Sequence, residues 1–148
     1  MAASVAVALL ALALSQALVD ASIYQEVKGK GFCTPSTGSE YSYILKRNVD
    51  NHKLCSEACD SVNLNHREST EHHYRGFAHV ARRAVDGIPK HSCLCYYDDG
   101  HVPDVDGMEG WSTYDLGDGA GQVDAPDGYS DGVLCYEILV DEAVSTLH

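Results

Sequence analysis

The stretch LCSEACDSV, residues 54–62, decides how this chain reads. Leu54, Cys55, Ala58, Cys59 and Val62 fall at helical spacing, which predicts a helix over about residues 52 to 62. Asp50 or Asn51 can cap its start. Residues four apart share a helix face, so both sulfurs point into the fold. The partner stretch is HSCLCYYDD, residues 91–99, which reads as a strand. Alternation there sends Cys93 and Cys95 to one face and Leu94 to the other. Two closely spaced pairs predict a helix stapled twice to a strand, with crowding expected between the two bridges.

Cys33 and Cys135 complete a set of six, for which fifteen connectivities exist. The compartment decides whether they pair. Residues Met1 to Ala21 read MAASVAVALLALALSQALVDA, with an unbroken apolar run from Val5 to Leu14. That is the length of a secretory h-region and short for a membrane span. Small residues precede two cuts, after Ala17 or after Ala21. The expectation is a cleaved signal over 1–21 and a secreted, extracellular domain over 22–148. Oxidation then favours disulfides over a four-cysteine zinc site, whose usual spacings differ from these.

Without the leader, the hydrophobic share falls from 45% to about 39%, below the usual globular range. A core this thin benefits from covalent staples. The net charge of -12 repels phosphate backbones and argues against a nucleic-acid partner. No second apolar segment is long enough to predict a membrane span.

Further strands are expected at 22–32, at YSYILK (41–46), at YRGFAHV (74–80) and at VLCYEILV (133–140). In the third of these, Tyr74, Ala78 and Val80 are expected on one face and Arg75, Phe77 and His79 on the other. Residues 34–40, with Pro35 and Gly38, read as a turn-rich loop. Residues 81–89 read as a turn or an extended arm. Residues 98–131 hold ten acids, many glycines and no Lys or Arg, and read as one long loop with short hairpins.

Catalytic patterns are missing. There is no Gly-x-Ser-x-Gly elbow, no His-Glu-x-x-His and no Gly-rich phosphate loop, so the chain is expected not to be an enzyme. No cofactor is expected, with calcium the one alternative. Asp104, Asp106 and Glu109 are its candidate ligands, although counting from Asp104 puts Met108 at position 5 and Asp115 at position 12, which breaks the EF-hand pattern. Glu71, His72 and His73 are a weaker transition-metal candidate. Trp111 with Tyr114, or Tyr96 with Tyr97, can stack on a sugar ring or fill a protein pocket, whereas Phe77 and Tyr136 are assigned to the core.

Gly31-Phe32-Cys33, Gly38, Tyr43, Leu54-Cys55-x-x-x-Cys59, Tyr74-Arg75-Gly76-Phe77, Cys93-Leu94-Cys95 and Cys135-Tyr136 come in the order of a PAN/apple domain, which the chain resembles over about residues 31 to 136. The resemblance implies an α+β fold, a small disulfide-stabilised antiparallel sheet with one helix packed on it. It implies nested bridges: Cys33 with Cys135, Cys55 with Cys95, and Cys59 with Cys93. One departure concerns the inner pairs, since the cysteine that often precedes the Gly-Phe strand is absent from HHYRGF (72–77). The chain is also similar to the WSC domain in its Tyr-x-Gly strand followed by Cys-x-Cys, but that family usually carries eight cysteines. Both resemblances imply a non-catalytic module binding extracellular protein or glycan. The alternatives are an acidic calcium-binding or matrix protein and a WSC-like glycan binder.

Overall fold

A computed structural model describes residues 23–128 and 132–140, with the side chains of 23–26 and 139–140 set aside. The expected signal and its cleavage sites lie outside the described residues. Glu26 to Ile138 form one compact unit. The elements are β1 (Ile23–Lys30), β2 (Cys33–Thr37), β3 (Ser42–Lys46), α1 (His52–Asn65), α2 (Arg67–Thr70), β4 (Tyr74–Val80), β5 (Cys93–Tyr97), β6 (Trp111–Tyr114), β7 (Ala120–Pro126) and β8 (Val133–Val140). The fold is α+β. A six-stranded sheet has the order β1-β8-β4-β5-β3-β6, and β2 pairs with β7 as a separate two-stranded ribbon. Antiparallel registers join β3 to β5 and β6, and β4 to β5 and β8.

The sheet is a wall between two apolar layers. On one side α1 brings Cys55, Cys59 and Val62 against Ile44, Phe77, Cys93, Cys95 and Tyr97. On the other the ribbon brings Cys33 and Val123 against Tyr41, Leu45, Ala78, Leu94 and Tyr96. β5 lies between β3 and β4 with both faces covered, which is why all five of its residues are buried. The alternation expected of Cys93, Leu94 and Cys95 holds, as does the core assignment of Phe77 and Tyr136, whose rings stack at 4.7 Å.

Asn51 caps α1, its side-chain oxygen accepting from the Leu54 N–H at 2.9 Å. That satisfies one of the backbone donors a helix start leaves open. At the far end the Tyr97 hydroxyl donates to Asn63 Oδ1 at 2.6 Å and ties the helix to β5.

The outer bridge, Cys33–Cys135, forms as the resemblance implied, with a Cα–Cα distance of 5.1 Å. The inner bridges differ from the nested expectation: they are Cys55–Cys93 and Cys59–Cys95, at 5.3 and 5.8 Å between Cα atoms. The reason is direction. Helix and strand advance together, so the earlier cysteine of one meets the earlier cysteine of the other; nesting needs opposed directions. Four helical residues rise about 6 Å and two strand residues about 6.6 Å. The bridges are therefore matched rungs, and this common spacing relieves the expected crowding.

Two other expectations change. Residues 33–37 are a strand, β2, rather than part of a loop, and its partner β7 lies inside the supposed long loop of 98–131. In β4, Tyr74 leaves the face of Ala78 and Val80 and packs on the helix side with Phe77. The register shifts between Tyr74 and Gly76, and the extra residue of this bulge reverses the side on which Tyr74 emerges.

Candidate functional site

The acidic segment 98–128 is built in two parts. In the first, residues 98–110, Pro103 and Val105 are fully buried and Val105 enters the helix-side core. The backbone N–H of Val105 donates to Thr113 Oγ1 on β6. The acids of this part point outward: Asp104, Asp106 and Glu109 are all exposed. The Asp104 carboxylate accepts from the Asp106 N–H at 2.9 Å, a local turn. These three acids do not converge on one point. Among the described residues, a metal-compatible grouping of His, Cys, Asp or Glu occurs at Cys55, Cys59 and Cys93, and those sulfurs are already in disulfides.

In the second part, residues 115–121, the roles are exchanged. The Ser42 hydroxyl lies 3.1 Å from Asp115 Oδ1 and 3.2 Å from the Gly117 carbonyl, and its proton serves both. Asp118 accepts from the Ser39 N–H at 2.8 Å, and the Gly119 N–H donates to the Glu40 carbonyl at 2.7 Å. Gly117 and Gly119 lie so close to the backbone of Glu40 and Tyr41 that a Cβ at either position would collide with it. Leu116, at the crest of this clamped loop, is 93% exposed.

Asp98 joins the two parts. Its carboxylate is buried and accepts four hydrogen bonds: from Arg75 Nε (2.9 Å) and Nη2 (2.7 Å), from His73 Nδ1 (2.9 Å), and from the Gly121 N–H (2.8 Å). Burial pushes its pKa up, but the hydrogen bonds from Arg75, His73 and Gly121 outweigh burial and hold the carboxyl below its ordinary range. The Tyr41 hydroxyl closes the ring by donating to the Gly121 carbonyl at 2.7 Å.

The sequence-derived aromatics fare differently. Tyr96 and Tyr97 are 3% and 0% exposed, so neither offers a ring face to a ligand. Burial drives both phenols well above their ordinary range. Trp111 and Tyr114 are half-buried but lie on opposite faces of β6, Trp111 against the helix-side core and Tyr114 against the ribbon side. They do not form one platform. Trp111 carries Lys46 Nζ 5.4 Å from its ring centre. Tyr114 instead stacks on Tyr43, its cross-strand neighbour, at 4.8 Å and 17°. Tyr43 meets Tyr96 at 6.0 Å, so a row of tyrosines runs outward from the core and ends at Tyr114.

The histidine candidate also dissolves. His72 and Glu71 are exposed and 3.9 Å apart, while His73 turns away to Asp98 and stacks on His101, ring centres 3.4 Å apart at 10°. Rings this nearly parallel hold their nitrogens side by side rather than aimed at a common ion.

Sequence reasoning missed Leu116 and the Asp98 hub, and picked out Tyr43 for the resemblance alone, not as a partner of Tyr114. One signal for Leu116 was present: it is the lone large aliphatic residue between Tyr114 and Val123, set among Asp and Gly. Among the described residues no helix is long and apolar enough to cross a membrane. The chain matches no family model, no curated protein and no solved structure.

Proposed function

We propose that this chain is a secreted, non-catalytic binding module of PAN/apple-like type, and that it docks an extracellular protein through the clamped 115–119 loop. Leu116 carries the reading. A single exposed leucine is ordinary on a protein surface, and what singles out Leu116 is the fixed loop beneath it. Here it stands on a loop whose hydrogen bonds fix it before any partner arrives. A fixed apolar residue gives up little entropy on binding, which is the character of an interface anchor. Asp115 and Asp118 flank it in the chain, the Glu40 backbone lies against Gly117 and Gly119, and all three acids are exposed, which favours a basic partner surface. A helix stapled to an antiparallel sheet and a bridge between early and late strands support the PAN/apple-like assignment.

The carbohydrate reading has one specific observation behind it, the half-buried Tyr43–Tyr114 stack, since sugar rings lie on aromatic faces. A panel of extracellular proteins and oligosaccharides, measured against the full chain, separates the readings. The expected result is a protein partner whose binding is lost in Leu116→Asp and kept in Leu64→Asp, a control at a residue 69% exposed on α1. A partner indifferent to Leu116→Asp sinks the proposal. Melting with and without calcium tests the acidic matrix alternative, which requires a calcium-dependent rise in Tm.

A further inference from the structure

The dipeptide Asp-Gly occurs six times in the chain, and at five of them both residues are described. It is the pair most open to self-modification, because glycine has no side chain to shield its nitrogen from the carboxyl before it. The fold treats the five pairs unequally. At Asp118-Gly119 the Gly119 N–H donates to the Glu40 carbonyl, Asp118 accepts from the Ser39 N–H, and Gly119 is buried with no room for a Cβ. At Asp127-Gly128 the Gly128 N–H donates to the Lys30 carbonyl, and Asp127 lies against Gly31. At Asp86-Gly87 two reciprocal hydrogen bonds between Val85 and Ile88 close the turn. Asp106-Gly107 is held least. Both residues are exposed, and exposure continues to Gly110. One hydrogen bond, from the Met108 N–H to the Val105 carbonyl, closes the turn, and the Gly107 N–H donates to no described residue. Nothing lies within 4 Å of the place where a Gly107 Cβ would stand. The turn at Asp99-Gly100 is similarly open, closed by the His101 N–H to the Asp98 carbonyl, but the Asp99 N–H is tied to the Gly119 carbonyl.

We propose that Asp106-Gly107 is a site of spontaneous backbone isomerisation, aspartate becoming isoaspartate as the molecule ages, with Asp99-Gly100 second and the other described pairs protected by the fold. In the first step the Gly107 nitrogen attacks Cγ of Asp106 in its carboxylic acid form. An N–Cγ bond forms, a Cγ–O bond breaks, and the amide proton leaves with that hydroxyl as water. Water then adds to the five-membered ring. Opening at the Asp106 main-chain carbonyl breaks its bond to nitrogen and leaves the chain running through Cβ and Cγ. Opening at Cγ restores aspartate. No oxidant or reductant enters, and the mass is unchanged. The attack needs the Asp106-Gly107 peptide to swing onto the carboxyl, a rotation that an open turn permits and a clamped pair resists. The product adds one methylene to the backbone between Val105, fixed in the core, and Trp111, the first residue of β6, so the exposed turn takes up the change.

The test incubates the full, oxidised chain for several weeks at physiological temperature in mildly acidic buffer, beside a reduced chain in guanidinium chloride. Peptides from each are then separated by chromatography. Isoaspartyl peptides are recognised by unchanged mass, shifted retention and resistance to an Asp-specific endoprotease. In the folded chain, isoaspartate at 106 is expected to exceed that at 118 and at 127 by at least about tenfold, the factor set by the hydrogen bonds that a clamped pair must give up. The amount at 99 should fall between. In the unfolded chain the pairs should react at similar rates. Asp106→Glu should abolish the product at 106 and leave 99 unchanged, because the larger ring it would need closes far more slowly. Equal isoaspartate at 106 and 118 in the folded chain overturns the inference. So does the same ranking in guanidinium chloride, which would assign it to local sequence rather than to the fold. An unmodified Asp106 in the folded chain, while the unfolded chain reacts there, overturns it as well.

Discussion

Two neighbouring loops of one acidic, glycine-rich composition are held in opposite ways. In 98–110 the apolar residues Pro103 and Val105 face inward and the acids face water. In 115–121 carboxylates and glycines make the attachments and the apolar residue, Leu116, faces water. The difference lies in what each loop crosses. The first passes the helix-side core, which accepts methyl groups. The second crosses the backbone around Glu40 and Tyr41, which offers hydrogen-bonding groups and no room for a Cβ. Composition alone therefore marks neither loop as a site; the partner surface does.

The largest break in this contrast comes from the outer bridge. Replacing Cys33 and Cys135 by Ser frees a loop of 102 residues and should cost about 4 to 5 kcal/mol in urea unfolding. Amide exchange should then quicken first in the ribbon and in 115–121, since Cys33 begins β2. Next, Gly117→Ala should cost about 3 kcal/mol because its methyl collides with fixed backbone. Gly107→Ala should cost only about 1 kcal/mol, since space is open there and only its φ of 83° resists a side chain. Third, Val105→Ala should cost about 2 kcal/mol, whereas Leu116→Ser should shift stability by less than about 0.5 kcal/mol. Equal costs at these two positions would erase the inversion.

The smallest effect is read against pH. Asp98 has a folded pKa below its unfolded reference of about 3.9. Its stabilisation is complete above that value and is lost as pH falls through the folded pKa. Melts between pH 6 and 2 should show Tm dropping below about pH 4. Asp98→Asn should start lower and show a shallower fall over that range.

The five expected strands were readable from sequence to within two residues, and so was the start of the helix, whose end runs three residues past 62, because each carries its own period. YRGFAHV and VLCYEILV become β4 and β8 with their expected ends. The ribbon was not readable. β2 contains Pro35, its register to β7 is broken twice, and β7 sits among Asp-Gly turns, so neither strand shows alternation. The direction of α1 relative to β5 was likewise hidden, because spacing fixes which face a cysteine takes but not which way its element runs. The site was half legible. Tyr114 stood out as an aromatic in an acidic run, but its companion Tyr43 lies 71 positions earlier and is joined to it only by strand pairing.

The three bridges share a property that their positions in the fold conceal. Each joins a cysteine before residue 60 to one after residue 92. Residues 81–84 between them are exposed and include Arg82 and Arg83. A trypsin-like protease cutting there would divide the chain into two pieces, yet every covalent cross-link would span the cut. The nicked protein would migrate as one species until reduced, and then as two. A single backbone scission in that arm is thus a change that the particle survives intact.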